Sequence, residues 1–107
     1  MRRLEVVFSR DSLTDLKDIY VWIASNGAGP ITAERYTRRI EDRCNDIGSA
    51  PSTGRARNDL LPGLRLITFE RSAMIAYREI EDVVEILNIF GAGRDYEAFY
   101  LVDDKQG

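Results

Sequence analysis

The cationic side chains of this 107-residue chain are nearly all guanidinium groups. Histidine is absent, which removes the commonest general base near neutral pH and the commonest zinc ligand. Cys44 is the only cysteine, so no intrachain disulfide or cysteine-based metal site is open to it. Its place in an apolar helical stripe predicts a packed, inert thiol. Lysine occurs only at Lys17 and Lys105, away from the segment that carries Arg55, Arg57, Arg65, Arg71 and Arg78. Arginine stays protonated at physiological pH, so these groups can clamp phosphate or carboxylate but cannot take up a proton. Tyr96 is then the acid–base candidate, and with an ordinary pKa near ~10 it needs strong activation. This inventory predicts gripping of anions rather than proton transfer, with no catalytic residue, no metal and no cofactor.

The net charge of −3 argues against general affinity for nucleic acid. The charge is uneven, however. Between Ser52 and Arg78 those five arginines face only Asp59 and Glu70, a net of +3, which leaves −6 for the rest. Two readings stand side by side: a solvated surface with chance clustering, or a basic sheet face meant for an anionic partner. No run of about 20 apolar residues predicts a membrane span. The opening "MRRLEVVFSRD" is too short and too soon charged for a secretory signal, so the cytoplasm is the expected location. The length suits one domain over residues 1–107.

The elements that must position these groups follow from periodicity. "LEVVF" (4–8) alternates as a strand. Ser9, Asp11 and Ser12 offer N-caps for a helix whose apolar stripe is Leu13, Leu16, Tyr20 and Ile23, widened by Ile19 and Trp22. "NGAGP" (26–30) breaks the chain before a second helix with Ala33, Tyr36, Ile40, Cys44 and Ile47 inward, and Gly48 as its stop. Residues 49–63 read as one irregular segment. Three strand-like runs follow at 64–69, 73–80 and 83–90, with links short enough to force antiparallel pairing. The last run is the most apolar and so the interior strand. The order is β-α-α-β-β-β with a short tail: an α+β layer with an antiparallel helical hairpin on a small, mainly antiparallel sheet.

Several stretches then carry a resemblance. "DLKDIYVWIAS", "RYTRRIEDRCNDI", "APSTGRARNDLLPGLR", "MIAYREIEDVVEILNIF" and "GRDYEAF" are together similar to the ParE branch of the RelE/ParE toxins of bacterial toxin–antitoxin modules. That resemblance implies a RelE/ParE-like fold and two alternative activities. RelE-like members are ribosome-dependent endoribonucleases, which need proton transfer and cations around a phosphorane. For that chemistry this chain offers Arg55, Arg57, Arg65, Arg78 and Tyr96, with Gly91 where many relatives close the last strand with histidine. ParE-like members poison DNA gyrase by binding. On this favoured reading Arg65, Arg71, Arg78 and Arg94 are the candidates for contacting gyrase or DNA, arginine being suited to bidentate contacts.

The same resemblance implies a ParD-like antitoxin, with DNA reached only through that antitoxin or through gyrase. Val21, Trp22 and Ile19 cannot all share one sheet-facing stripe with Leu16 and Ile23. Ile19, Tyr20 and Trp22 are therefore the candidate antitoxin contacts, in a groove suited to an amphipathic helix or beside an edge suited to a strand. At the C-terminal end, Gly91 and Gly93 are expected to turn the backbone off the last strand. Arg94, Asp95 and Tyr96 would fold back as a clasp, with Tyr96 and Phe99 on the sheet and Arg94 paired to an acid.

Overall fold

The chain runs β1 (Glu5–Phe8), α1 (Arg10–Ser25), α2 (Gly29–Ile47), β2 (Arg55–Ala56), β3 (Arg65–Phe69), β4 (Ala73–Ile80), β5 (Val83–Gly91) and α3 (Tyr96–Gln106). The structure, a computed structural model, describes residues 3–106 and, from residue 102 on, the backbone alone. The Lys105 side chain thus lies outside the described residues. The strands form one sheet in the order β1-β5-β4-β3-β2. β1 pairs parallel to β5, as a strand returning through a helical hairpin can, and the other pairs are antiparallel. β5 is interior, as its continuous apolar run predicts.

Two tight turns set the register. Glu70-Arg71 and Glu81-Asp82 all have positive φ. Left-handed backbone at both residues matches the twist of the two-residue link between Ile80 and Val83, and the same pair opens the three-residue link between Phe69 and Ala73, although none of the four is glycine. Between Ala76 and Tyr77 the register shifts, because Ala76 faces Asn88 while Tyr77 faces Ile86. Leu87 is the extra residue of this bulge. The bulge keeps Tyr77 and Ile86 towards the helices and sends Asn88 and Phe90 to the other face.

Of the three proposed caps for α1, Ser9 does the work: its hydroxyl accepts the Ser12 N–H at 3.0 Å and donates to the Leu87 carbonyl at 2.8 Å. This anchoring rotates the helix from its expected stripe. Ser12 and Leu16 are buried, whereas Leu13, expected inward, is exposed. Gly27 and Gly29 take the left-handed backbone of the hairpin turn, and Pro30 sits in the first turn of α2. Ala33, Ile40, Cys44 and Ile47 are buried as their spacing predicts. Burial pushes the Cys44 thiol up to about 12. Gly48 ends α2 without left-handed backbone; its reason is proximity, since a Cβ there would collide with the Leu4 carbonyl of the segment entering β1.

The core has two layers. The helical hairpin packs on one sheet face around Ile40, Ile75, Val84 and Ile86. On the opposite face, Leu64, Leu66, Ala76 and Phe90 pack with Tyr100. That second layer corrects the expected short tail, which is the helix α3. Asp95 caps it, accepting the Ala98 N–H at 3.0 Å. The spacing of Tyr96, Phe99 and Tyr100 then turns one aromatic face to Phe90, with ring centroids 5.5 Å away for Phe99 and 5.9 Å for Tyr100.

Candidate functional site

The arginine-rich segment is built around a buried tyrosine. Tyr77 donates its hydroxyl to the Pro51 carbonyl at 2.8 Å and accepts the Gly54 N–H at 2.8 Å. Desolvation raises its pKa above the ordinary phenol value. A Cβ on Gly54 would lie 2.6 Å from that hydroxyl, so only glycine lets the chain pass. Arg65, opposite Tyr77 in the register, holds the same loop by donating to the Gly54 carbonyl at 2.7 Å. The expected irregular segment 49–63 is therefore pinned and contains β2, which pairs with β3.

Three of the other cations of this region, Arg55, Arg57 and Arg78, also meet groups of the same chain. Arg57 forms ion pairs with Asp59 and Glu97, both at 2.8 Å, which tie the loop to α3. These partners raise the Arg57 pKa, and Arg57 in turn lowers that of Asp59. Arg55 reaches the Tyr96 hydroxyl at 3.3 Å. Arg78 pairs across the sheet with Glu85 at 3.2 Å. Arg71 stands exposed in the β3–β4 turn. The four proposed target contacts are thus not brought together. Arg65 and Arg78 lie on opposite faces of the sheet, while Arg71 and Arg94 belong to its other end, where Ala73 pairs with Gly91.

At that other end lies a groove of about 540 Å³. Ile19, Trp22 and Ile23 of α1 form one wall, Tyr36 and Ser72 close a second side, and Ile89, Gly91 and Ala92 lie at the base. Tyr36 is held in place by a 2.5 Å hydrogen bond to Ser72 and an edge-on contact with Phe69. Trp22 is 67% exposed, a large apolar side chain left in water. Of the proposed antitoxin contacts, Ile19 and Trp22 line the groove, whereas Tyr20 is not among its lining residues.

Asp15, Asp18 and Arg94 also line this groove. Asp15 accepts the Ile89 N–H at 2.9 Å and the Asn88 amide at 3.2 Å. Desolvation raises its pKa, against the pull of those hydrogen bonds and of Arg94. Asp15 thus feels the charge of Arg94, but among the described residues Arg94 forms no ion pair with it, and the expected pairing to an acid is not made. Asn88 in turn accepts the Tyr100 hydroxyl at 3.0 Å, which links the groove side of the sheet to α3. Gly93 makes the turn after β5 with φ 81°, but Gly91 does not share that role: it is still in the strand, opposite Ala73. Asp15 was missed by sequence reasoning, although an acid interrupting the sheet-facing side of α1 was a readable signal. Among the described residues no cluster of His, Cys, Asp or Glu is placed to hold a metal, and no helix is long and apolar enough to cross a membrane.

Comparison with known proteins adds to this geometry. No curated protein sequence matches. Among solved structures, the chain is similar to one described as a chromosomal ParDE toxin–antitoxin system from P. aeruginosa. The TM-score is 0.72 and the identity 22%, over 83% of this chain and 96% of the other. A double arginine-to-alanine variant of the E. coli toxin RelE in the free state matches with a TM-score of 0.63 and 14% identity, over 96% and 98% of the two chains. The isolated E. coli RelE toxin matches with a TM-score of 0.52 and 15% identity, over 95% and 98%. At these identities the likeness is one of fold. The model of the family described as ParE toxin of type II toxin–antitoxin system, parDE, matches residues 6–106, and the chain therefore belongs to the ParE toxin family.

Proposed function

We propose that this protein, as the toxin of a type II module, is held by a ParD-type antitoxin and acts, once released, by binding and poisoning DNA gyrase without covalent catalysis of its own. The observation that carries the reading is the engagement of the guanidinium groups around Tyr77. Arg57, Arg65 and Arg78 hold the chain's own carbonyls and carboxylates, and no histidine stands beside them to move a proton. The exposed Arg71 and the groove-lining Arg94 are the better placed of the proposed contacts to gyrase or DNA. The exposed Trp22 and its apolar groove support a protein partner on the α1 side. The absence of a membrane-crossing helix among the described residues is compatible with action in the cytoplasm.

A supercoiling assay with purified gyrase tests this. The toxin is expected to inhibit supercoiling and accumulate cleaved DNA, and stoichiometric ParD-type antitoxin to restore activity. Full gyrase activity at saturating toxin contradicts it.

One observation favours a second reading. Arg55 lies 3.3 Å from the Tyr96 hydroxyl, a cation beside the one acid–base candidate of the sequence. A RelE-like ribosome-dependent endoribonuclease could use such a pair. Translation-coupled cleavage of message that is lost in Tyr96→Phe supports this alternative, and uncut message removes it.

A further inference from the structure

The base of the α1 groove is an unpaired strand edge. β1 follows β5 in register only as far as Phe8 opposite Ile86. The chain then leaves the sheet and winds into α1, so beyond Ile86, among the described residues, β5 has a strand neighbour only on its β4 side. The protein covers the start of this edge with side chains. Ser9 takes the Ile86 carbonyl through its N–H at 3.0 Å and the Leu87 carbonyl through its hydroxyl, and Asp15 takes the Ile89 N–H.

A residue of a strand presents its N–H and C=O to the same side, and that side alternates along the strand. The Ile89 N–H points away from β4, so the Ile89 carbonyl and, two residues on, the Gly91 N–H share its direction. Both belong to residues that line the groove.

Gly91 adds a second observation. Its φ is not in the left-handed region, and a Cβ built on it meets nothing within 4 Å. Neither backbone geometry nor packing within the chain explains a glycine there. What the missing side chain does is leave the groove open down to the backbone. The charge of the rim is a third: Asp18 is exposed beside Ile19 and Trp22, while Asp15 already holds the strand and feels Arg94.

We propose that an extended segment of the ParD-type antitoxin lies in this groove, pairing its backbone with the Ile89 carbonyl and the Gly91 N–H. It sets an apolar side chain against Trp22 and Ile19 and a lysine or arginine against Asp18. The proposal rests on the toxin–antitoxin reading and specifies its interface. Strand addition suits the site because main-chain bonds supply affinity and the flanking pocket and acid supply selectivity.

The test titrates the full-length ParD-type antitoxin into the full-length toxin and into Gly91→Val. Valine has open space and an allowed backbone there, so thermal unfolding of the variant should match the parent. Its Kd should rise at least about tenfold, since the isopropyl group rises from the sheet face into the groove and takes the space in which the segment's apolar side chain packs. Asp18→Lys should weaken binding less, by roughly 3- to 10-fold, and chiefly at low salt. Amide exchange on the unsubstituted complex gives a readout that needs no variant: the Gly91 N–H should slow by at least about 100-fold on binding. An unchanged Kd for Gly91→Val overturns the proposal. So does a Gly91 amide that exchanges as fast in the complex as in the free toxin, even where affinity falls, because a helix in the groove would leave that N–H unbonded. If the unsubstituted toxin binds no antitoxin at all, the underlying toxin–antitoxin reading fails first.

Discussion

Two regions of this molecule use polar groups in opposite ways. Around Tyr77 they face inward. The hydroxyl, the Arg65 guanidinium and the Arg57 ion pairs all serve to hold the loop 49–63 and α3 against the sheet. Beside Trp22 the chain instead leaves an exposed indole, an acidic rim and strand backbone at the base of a groove. Most of the cations gathered in sequence, Arg71 excepted, have become structural, whereas a helix face that looked merely broad carries the open surface. A cluster of arginines is thus weak evidence for catalysis until their partners are known, because a guanidinium pairs with a carbonyl of its own chain as readily as with a phosphate.

The contrast can be broken from either side. The largest expected effect is on stability. Tyr77→Ala should cost about 3–5 kcal/mol in chemical denaturation, for a fully buried aromatic. Tyr77→Phe should cost about 1–3 kcal/mol, because the Gly54 N–H and Pro51 carbonyl lose their partner. The antitoxin affinity of folded Tyr77→Phe should stay within about threefold of the parent, a difference of under ~1 kcal/mol. A large loss of affinity would mean that the two regions are not separate.

Trp22→Ala should do the reverse. Its side chain is exposed, so stability should move by no more than about 0.5 kcal/mol. Antitoxin affinity, measured by calorimetry, should fall about 30-fold, the ~2 kcal/mol of an anchoring aromatic. Adding Tyr20→Ala should deepen the loss little, since Tyr20 lies outside the groove lining. Unchanged affinity in the double variant would remove the groove from the account.

Arg57→Ala should lower the melting temperature by less than Tyr77→Phe, and the difference should shrink in high salt because the ion pairs to Asp59 and Glu97 are screened.

The smallest effect concerns pH. Asp15 has a raised pKa, so the folded state binds its proton more tightly than the unfolded state does. Its contribution to stability is therefore full at low pH and lost as pH rises through the folded value. Asp15→Asn keeps an oxygen to accept the Ile89 N–H and removes the desolvated charge. The melting temperature of the variant relative to the parent should accordingly become more favourable as pH rises from acid towards neutral. No trend, or the opposite trend, would mean that burial does not dominate at Asp15.

The parts of the fold that could be read from the sequence are those fixed by periodicity. The α2 stripe from Ala33 to Ile47, the interior position of β5 and the short hairpin links all rest on patterns that tertiary contacts reinforce. What escaped depends on distant partners. The rotation of α1 that exposes Leu13 is set by Ser9 and Asp15 bonding to β5, more than 70 residues away. The α3 helix has local signals, Asp95 as cap and aromatics at helical spacing, but its apolar face makes sense only once Phe90 is known to point away from the hairpin. That direction is decided by the bulge at Leu87. Of the candidate site, Ile19 and Trp22 were legible as apolar residues in excess of one stripe. Gly91 was read as a turn, and its place at the base of the groove became visible only with the strand edge around it.

The most direct test of the account is the fate of message on translating ribosomes. Purified toxin, free of contaminating nucleases, should leave it uncut at concentrations that arrest gyrase supercoiling, because arginines already held within the fold grip without relaying protons. Site-specific cleavage of that message, abolished by Tyr96→Phe, would show the Arg55–Tyr96 pair at work and contradict the account.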